Sequence, residues 1–449
     1  MLRTQLGLIL CFMTLPLFAG EFPYQITPEK NIPSYQKVRF EGHSLKEFSL
    51  NPLLSIGYVR KLYSPKFTTS IEELNYFKDS AQVIKLLQHS GPNNNAPQVK
   101  LILTGDIMFV KDHWDNLLSG QVKDYLKTAD LVIGNLETPI AENQKPARKF
   151  FPTTFNSPQK LIENFDKEDG TSLLTAVSLA NNHLFDRGDA GAKETADYLD
   201  QKGILHSGFR LSKDEKKFKT FVINGIKFGF YATSWGYNDP KYKSNYFLNT
   251  IPGLALEPEN ISEVDLSETL EVLAEMKKEP IDVKIISLHW GHEFEFYPTP
   301  LTAQTARLLI TNGADILYGT HPHVVQPSEV CFLNGAEKDY SIPQNLKLCK
   351  LNSPDEKKRK AMIYYSLGNF LTAMQTEITR TGVLQELTFQ KTSDGIVDWF
   401  TPQFKIVFNN FPSSSNPERK LYFSTEDEVR DTKQTTSLIE NFLRNGFFE

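Results

Sequence analysis

Residues 313–329 read GADILYGTHPHVVQPSE. Within this stretch, the apolar run Ile316–Tyr318 is a strand candidate, and Gly319-Thr320 separate it from His321 and His323. The His-x-His spacing places two imidazole rings on one turn, although such a pair alone is weak evidence for a metal site. The stretch therefore predicts a strand that delivers two candidate metal ligands at its carboxyl end.

The same arrangement, an apolar run followed by polar residues, recurs along the chain. We predict further strands at Val99–Thr104, Leu131–Gly134, Ala176–Leu179, Val283–Leu288 and Met362–Ser366. Amphipathic helical patterns stand between them, at Ala190–Gln201, Glu268–Lys278 and Thr302–Thr311. This alternation indicates an α/β fold, in which ligands bind beyond the carboxyl ends of the strands.

The remaining patterns are simpler. Asn224-Gly225 predicts a β-hairpin, since both residues tolerate positive φ, and it would join strands at 218–223 and 227–232. Antiparallel strands are predicted over Val383–Phe408, and helices over Ile71–Gln88 and Glu426–Leu443. The predicted domain organisation is a signal peptide (1–20), an N-terminal extension and linker (21–97), the α/β domain (98–410) and a C-terminal extension (411–449).

The polar residues at the predicted strand ends are of the types that bind metal ions. They are Asp106, Asn135, Glu137, Asn182, His183, His289, Glu293, His321 and His323. With His292 in the same stretch as His289, five of the nine histidines lie in these turns. Core packing does not explain this concentration, although any single histidine could be a hydrogen-bonded structural residue. Such ligands suit Zn²⁺, Mn²⁺ or Fe²⁺. We therefore predict a centre of one or two divalent ions.

The N-terminus has the features of a secretory signal peptide. Arg3 precedes an apolar run, Leu6 to Phe18, and the small residues Ala19-Gly20 follow. The run has 13 residues, fewer than the ~20 needed to span a bilayer. We predict an exported protein of the periplasm, the cell envelope or the extracellular space. A lipid anchor at Cys11 is disfavoured by the preceding Leu-Ile-Leu. We expect the protein to lie near a membrane at most.

Composition narrows the classes of partner. The formal net charge is −5, which gives no support to nucleic-acid binding.

Export leaves Cys331 and Cys349 as an even pair, and an oxidising compartment favours a disulfide between them, with two unpaired thiols as the alternative.

Six ordered strings in the region from Val99 to Phe370 resemble the poly-gamma-glutamate capsule-synthesis (CapA) family. They are LTGDIMF, ADLVIGNLETPI, SLANNHLFDRGDAG, SLHWGHEFEFYPTP, GADILYGTHPHVVQPSE and YYSLGNFL. That family is similar in turn to calcineurin-like metallophosphoesterases. The resemblance implies a four-layer α/β/β/α sandwich of the metallo-dependent phosphatase type, and a role in making, exporting or anchoring a polyglutamate capsule.

Residue roles follow from the wider resemblance. It implies that Asp106 and His323 bind a first metal ion and that Asn182, His289 and His321 bind a second. It also implies that His183 donates a proton to the leaving group or stabilises charge in the transition state. Two positions depart from the pattern. Met108 replaces a metal-binding histidine, and Asn135 replaces a bridging aspartate. Glu137 would restore a carboxylate if its side chain reached around the turn.

Three acidic residues are candidate partners of the histidines. Asp186, three residues after His183, is placed to orient it. Glu293 and Glu295 are candidates for a general base or for orienting an imidazole. The alternative is that they are exposed turn charges, which we favour for Glu295. Asp186 and Glu293 join His183 as candidate catalytic residues.

Three functional hypotheses remain open on the sequence. The first is a metal-dependent hydrolase of polyglutamate or a related surface polymer, working beside envelope polymer-synthesis machinery. The second keeps the metal centre but takes a phosphoester of a nucleotide or lipid as substrate. The third is a non-catalytic factor that binds or exports an anionic polymer, and Met108 and Asn135 are the features that favour it.

Overall fold

The computed structural model describes most of the chain beyond residue 50. The described residues are 51–67, 69–89, 96–147, 154–239, 241–256, 258, 260–391, 395–411 and 419–446. The predicted signal peptide and Cys11 lie outside them. Among the described helices, none combines the length and the apolar character needed to cross a bilayer.

The first sheet has eight strands, and its centre is parallel. In spatial order it runs β17-β16-β15-β1-β2-β3-β4, and β14 pairs in parallel with β1. The parallel core is β1–β4, and β15, β16 and β17 extend it in antiparallel fashion. Its strands are β1 (Gln98–Met108), β2 (Leu131–Glu137), β3 (Ala176–Ser178), β4 (Leu205–Ser207), β14 (Asn369–Leu371), β15 (Thr381–Lys391), β16 (Val397–Asn410) and β17 (Lys420–Phe423).

The second sheet has seven strands, also with a parallel centre. Its order is β12-β11-β13-β10-β9-β7-β6, in which β7, β9, β10 and β13 are parallel. Its strands are β6 (Lys219–Ile223), β7 (Ile226–Ser234), β9 (Val283–His289), β10 (Ile316–Thr320), β11 (Ser328–Leu333), β12 (Cys349–Leu351) and β13 (Arg359–Tyr364). Two short strands, β5 (Phe209–Arg210) and β8 (Phe247–Leu248), pair with each other.

Helices cover the outer face of each sheet. They are α1 (Pro52–Tyr63), α2 (Ile71–Leu87), α3 (Gly120–Lys127), α4 (Lys160–Glu163), α5 (Gly188–Gln201), α6 (Ser267–Lys278), α7 (Pro300–Thr311), α8 (Glu377–Arg380) and α9 (Lys433–Asn445). Local sequence sets their starts. Ser70 and Glu73 form a capping box before α2, and Thr299 caps α7, whose first residue is a proline.

Three apolar layers confirm the four-layer sandwich. The layer between the sheets joins residues of both, such as Leu101 with Phe230 and Ile285. A second layer packs α3 and α5 on the first sheet, and a third packs α2, α6, α7 and α9 on the second. Parallel strands require covering on both faces, which this arrangement provides.

The predicted elements are present, but several of their ends differ: for example, the helix predicted over Glu426–Leu443 begins as a 3-10 segment at Asp427–Thr432, and α9 starts at Lys433. The sequence placed the end of the first strand at Thr104, whereas β1 continues to Met108 after a register shift and pairs there with both β2 and β14. Asp106 therefore lies inside a strand and not in a turn. The hairpin forms as predicted, with Asn224 at φ 48° and Gly225 at φ 78°.

Two described helices that flank the sheets in the sequence, α2 and α9, pack against the sandwich. Helices α2 and α9 meet on the second sheet, where Gly446 approaches the carbonyl of Phe77 so closely that a Cβ atom would lie 2.2 Å from its oxygen. Cys331 and Cys349 form a disulfide, which resolves the alternative left open by the sequence. The bond links paired residues of β11 and β12.

Candidate metal centre

Side chains from both sheets converge at one rim. Three overlapping groups each place their ligand atoms within 4.8 Å of one another: Asp106–Glu137–His323, Glu137–His289–His321 and Glu293–His321–His323. All six residues are buried. The parallel strands β1, β2, β9 and β10 end here, which explains how residues separated by more than two hundred positions meet.

The backbone around the two clustered histidines is held in uncommon conformations. His321 has φ 97° and His323 has φ 56°, in the region that residues other than glycine rarely adopt. Gly319 permits the approach of the neighbouring strand, since a Cβ there would lie 1.9 Å from the carbonyl oxygen of Tyr365. Backbone strain of this kind is concentrated at functional sites.

Asp106 is fixed by donors from three directions. Its Oδ1 accepts a hydrogen bond from Asn135 Nδ2 at 2.8 Å, and its Oδ2 accepts one from the His321 backbone N–H at 3.2 Å. His323 Nδ1 lies 3.3 Å from Oδ2. Burial alone would raise the pKa of Asp106, but the hydrogen bond and charge of His323 outweigh it and lower that pKa. Asp106 is therefore a carboxylate.

Glu137 is the strongest indication of a cation. Both of its oxygens are buried, and neither has a hydrogen-bond partner among the described residues. Oε1 lies 3.5 Å from His289 Nε2 and 3.8 Å from His323 Nε2. Burial, followed by the neighbouring charge of Asp106, raises the pKa of Glu137 well above its ordinary value. A divalent cation would offset both penalties, so the residues fit such an ion.

Glu137 does not reach around a turn. Strand β2 continues to Glu137, three residues beyond the predicted end at Gly134. Asn135 and Glu137 are two residues apart on a strand, so their side chains share one face. Asn135 Nδ2 donates to Asp106, and Asn135 Oδ1 accepts from Asn181 Nδ2 at 3.2 Å. The side chain of Asn135 thus holds Asp106 in place, while Glu137 supplies the second carboxylate.

His289 and His323 are each oriented by amides. His289 Nε2 lies 2.9 Å from Asn182 Oδ1, and its Nδ1 lies 3.0 Å from Thr320 Oγ1. His323 Nδ1 lies 3.0 Å from Asn369 Oδ1. Burial alone would lower the pKa of His323, but Asp106 raises it above its ordinary value. Fixed rings of this kind are typical of metal-ligating histidines.

Met108 stands apart from the cluster. It packs in an apolar group with Phe109 and Phe155, and Thr372 Oγ1 approaches its sulfur at 3.5 Å. At the position where the resemblance implies a metal-binding histidine, Met108 therefore has a packing role. Glu293 joins the centre through the group that it forms with His321 and His323.

His183 sits beside the cluster in a polar pair. Its Nδ1 lies 2.6 Å from Asp186 Oδ2, so Asp186 orients the ring as predicted. Phe155 stacks on the ring with a centroid distance of 3.8 Å. Asn238, which the sequence did not single out, contacts His183 Nδ1 at 3.2 Å and accepts from Asn182 Nδ2 at 2.9 Å. Because it follows β7 without a distinctive motif, only the fold reveals its place.

The preference for Glu295 as an exposed charge is wrong. Glu295 is 2% exposed and pairs with Lys61 at 2.7 Å and with Lys66 at 3.0 Å. Glu293 is also buried and accepts a hydrogen bond from the Tyr58 hydroxyl. The cause of the error is the N-terminal segment, which covers this turn and supplies both lysines.

The two-sheet sandwich with a buried histidine–carboxylate cluster at its rim defines an α/β protein with a candidate metal centre. Residues 100–374, more than half of the chain, match the family described as bacterial capsule synthesis protein PGA_cap. The chain belongs to that family.

Individual relatives agree with the family assignment. The chain is 25% identical over 311 residues to the capsule biosynthesis protein CapA of Bacillus anthracis, covering 67% of this chain and 66% of that protein. It is 28% identical over 280 residues to the PGA biosynthesis protein CapA of Bacillus subtilis, covering 61% of each. The match thus spans less than two thirds of either relative. A phosphatase of Mycoplasma pneumoniae aligns over 71% of this chain and 96% of its own, at 13% identity and a TM-score of 0.38.

Proposed function

We propose that this protein is an exported metal-dependent hydrolase that acts on poly-gamma-glutamate or a related anionic polymer of the cell surface. The observation that carries the proposal is the pair of buried oxygens of Glu137, which have no hydrogen-bond partner among the described residues and lie near His289 and His323. Membership of the capsule-synthesis family supports the choice of substrate. Envelope polymer-synthesis machinery is the proposed partner.

The proposed ion is Zn²⁺, Mn²⁺ or Fe²⁺. Its proposed ligands are five residues of the cluster and one amide beside it. Asp106, Glu137, His289, His321 and His323 have side chains in the cluster. Asn182 contributes through its amide oxygen, which faces His289. When bound, a divalent ion supplies positive charge that polarises a carbonyl or phosphoryl oxygen and favours attack by water.

His183 is the proposed proton donor. Hydrolysis of an amide adds a hydroxyl group to the carbonyl carbon and requires a proton on the leaving nitrogen. Asp186 engages Nδ1 of His183, which leaves Nε2 as the nitrogen that faces a substrate. Stacking on Phe155 and contact with Asn238 restrict rotation of the ring. A ring held in this way can give its proton at a defined position.

The test is cleavage of poly-gamma-glutamate by the purified chain loaded with Zn²⁺, Mn²⁺ or Fe²⁺. Size-exclusion chromatography would follow the polymer length, and elemental analysis would give the metal content. We expect shortening by the wild type, loss of shortening in His183→Ala, and equal metal content in both. A wild type that carries metal but leaves the polymer intact would refute the hydrolase.

A phosphoester substrate is the second candidate, and one observation favours it. Asn182 faces His289 and His183 pairs with Asp186, and these contacts support the roles that the phosphoesterase resemblance implies for the two residues. Hydrolysis of a generic aryl phosphate, lost in His183→Ala, would support this candidate over polymer cleavage. Polymer binding without cleavage of either substrate, and without bound metal, would instead support a binding or export factor.

A further inference from the structure

We propose that the N-terminal segment 51–67 completes the metal centre, with Tyr58 as the residue that positions Glu293. This segment precedes the region that matches the family. The inference rests on the proposed metal centre and adds to it a wall that the family strings do not contain. The segment contacts residues 293–296, which carry two buried carboxylates and lie next to His321 and His323.

The segment holds residues 293–296 by backbone pairing. The N–H of Lys66 donates to the carbonyl oxygen of Phe294 at 2.8 Å, and the N–H of Phe296 donates to that of Lys66 at 2.9 Å. Phe67 stacks on Phe296 with a centroid distance of 4.4 Å. These contacts fix both edges of a short turn whose central residue, Phe294, has φ 61°. The segment therefore stabilises an unfavourable backbone conformation.

Buried charges strengthen this contact. Lys61 and Glu295 are each 2% exposed, and their charged atoms lie 2.7 Å apart. Lys66 adds a second cation 3.0 Å from the other oxygen of Glu295. A buried carboxylate without such partners would be strongly destabilising. Glu295 can thus stay buried only while the N-terminal segment supplies these two lysines.

The same turn carries Glu293 to the metal centre. The N–H of Phe294 donates to the carbonyl oxygen of Pro322 at 2.9 Å, which joins the turn to the His321–His323 turn. Glu293 forms a candidate ligand group with these two histidines. The Tyr58 hydroxyl donates to Glu293 Oε2, and its ring lies 5.4 Å from that of Phe294. The hydroxyl therefore sets the direction of a carboxylate that faces two candidate ligands.

Loss of this hydrogen bond should weaken metal binding. Removing a group that orients a metal ligand typically costs about 10–100-fold in affinity. Tyr58→Phe deletes only the hydroxyl and keeps the ring against Phe294. Tyr63→Phe is a matched control, because Tyr63 ends the same helix and is 54% exposed.

The experiment is a Co²⁺ titration of the full chain, followed by visible absorption, and a Zn²⁺ competition that gives the dissociation constant. We expect Tyr58→Phe to raise that constant about 10–100-fold and to alter the Co²⁺ bands, while Tyr63→Phe matches the wild type. Tyr58→Phe combined with Glu293→Gln should bind no more weakly than Glu293→Gln alone, since the hydroxyl acts through the carboxylate.

The outcomes separate this inference from the proposed function. If the wild type binds no cation, the metal centre and this inference both fail. If the wild type binds and Tyr58→Phe gives the same affinity and spectrum as Tyr63→Phe, only the role of Tyr58 fails. A lower Tm for Tyr58→Phe with unchanged affinity and spectrum would show a purely structural contact, and would also overturn the inference.

Discussion

Replacing Glu137 by glutamine should change stability in opposite directions with and without a bound cation. Glutamine keeps the size of the side chain but removes the negative charge that a divalent ion requires. The carboxylate is fully buried and has no hydrogen-bond partner among the described residues. A residue with a purely structural role would lose stability in both conditions, so the sign of the change identifies a ligand.

The magnitudes follow from burial and linkage. In a chelator, the wild type bears the cost of a buried carboxyl group beside the charge of Asp106, about 1–3 kcal/mol if no donor satisfies it. Glutamine is neutral and brings its own N–H donors, so Glu137→Gln should be at least as stable. With the cation at about 1,000 times its dissociation constant, the wild type gains about 4.1 kcal/mol. An unfolding entropy of about 2.1 cal/mol/K per residue, over 449 residues, converts this gain into a rise of about 4 °C in Tm.

Scanning calorimetry in EDTA, and then in Zn²⁺ or Mn²⁺, measures both quantities. Glu275→Gln is the control, because it removes a carboxylate from the exposed face of α6. It should show the full cation-dependent rise. An equal rise in Glu137→Gln and the wild type would refute the assignment of Glu137 as a ligand.

Three further predictions concern other parts of the molecule. Asp186→Asn should lower the turnover rate by up to about 10²–10⁴-fold, the contribution of a positioned general acid, at unchanged metal content, which steady-state kinetics and elemental analysis would check. Replacing both Cys331 and Cys349 by alanine should cost about 3 kcal/mol in urea unfolding, since the disulfide closes a loop with a sequence separation of 18; an unchanged midpoint would contradict this. Burial lowers the pKa of the Lys360 amine to about 8 in the folded chain. In the unfolded chain the amine stays protonated up to about pH 10, so between these pH values only the folded chain releases the proton. The stability of the wild type relative to Lys360→Met should therefore rise by roughly 3 kcal/mol between about pH 8 and 10; a flat difference would contradict it.

The sequence was a good guide to the sandwich and to its rim. Apolar runs followed by polar residues located β1, β2, β9 and β10, and these strands carry Asp106, Glu137 and His289 and lead to His321 and His323. Their convergence follows from parallel strands ending at one edge. The exact strand ends were less predictable, because the extension of β2 to Glu137 depends on its pairing with β1.

Contacts between residues far apart in the sequence could not be predicted from local patterns. Tyr58 and Glu293 are 235 positions apart, and Lys61 and Glu295 are 234 apart. Nothing in the local pattern around Glu295 distinguishes a buried ion pair from an exposed charge. Asn238 was missed for the same reason, since its contact with His183 depends on how the segment after β7 folds back.

The pairing of Lys66 with Phe294 and Phe296 bears on how the protein can be shortened. A fragment trimmed to residues 98–410 would keep Asp106, Glu137 and the clustered histidines. It would nonetheless leave Glu295 without either lysine and would remove β17 from the edge of the first sheet. Activity or metal affinity measured on such a truncation would describe a site without these contacts, so residues 51–67 should be kept in any shortened version.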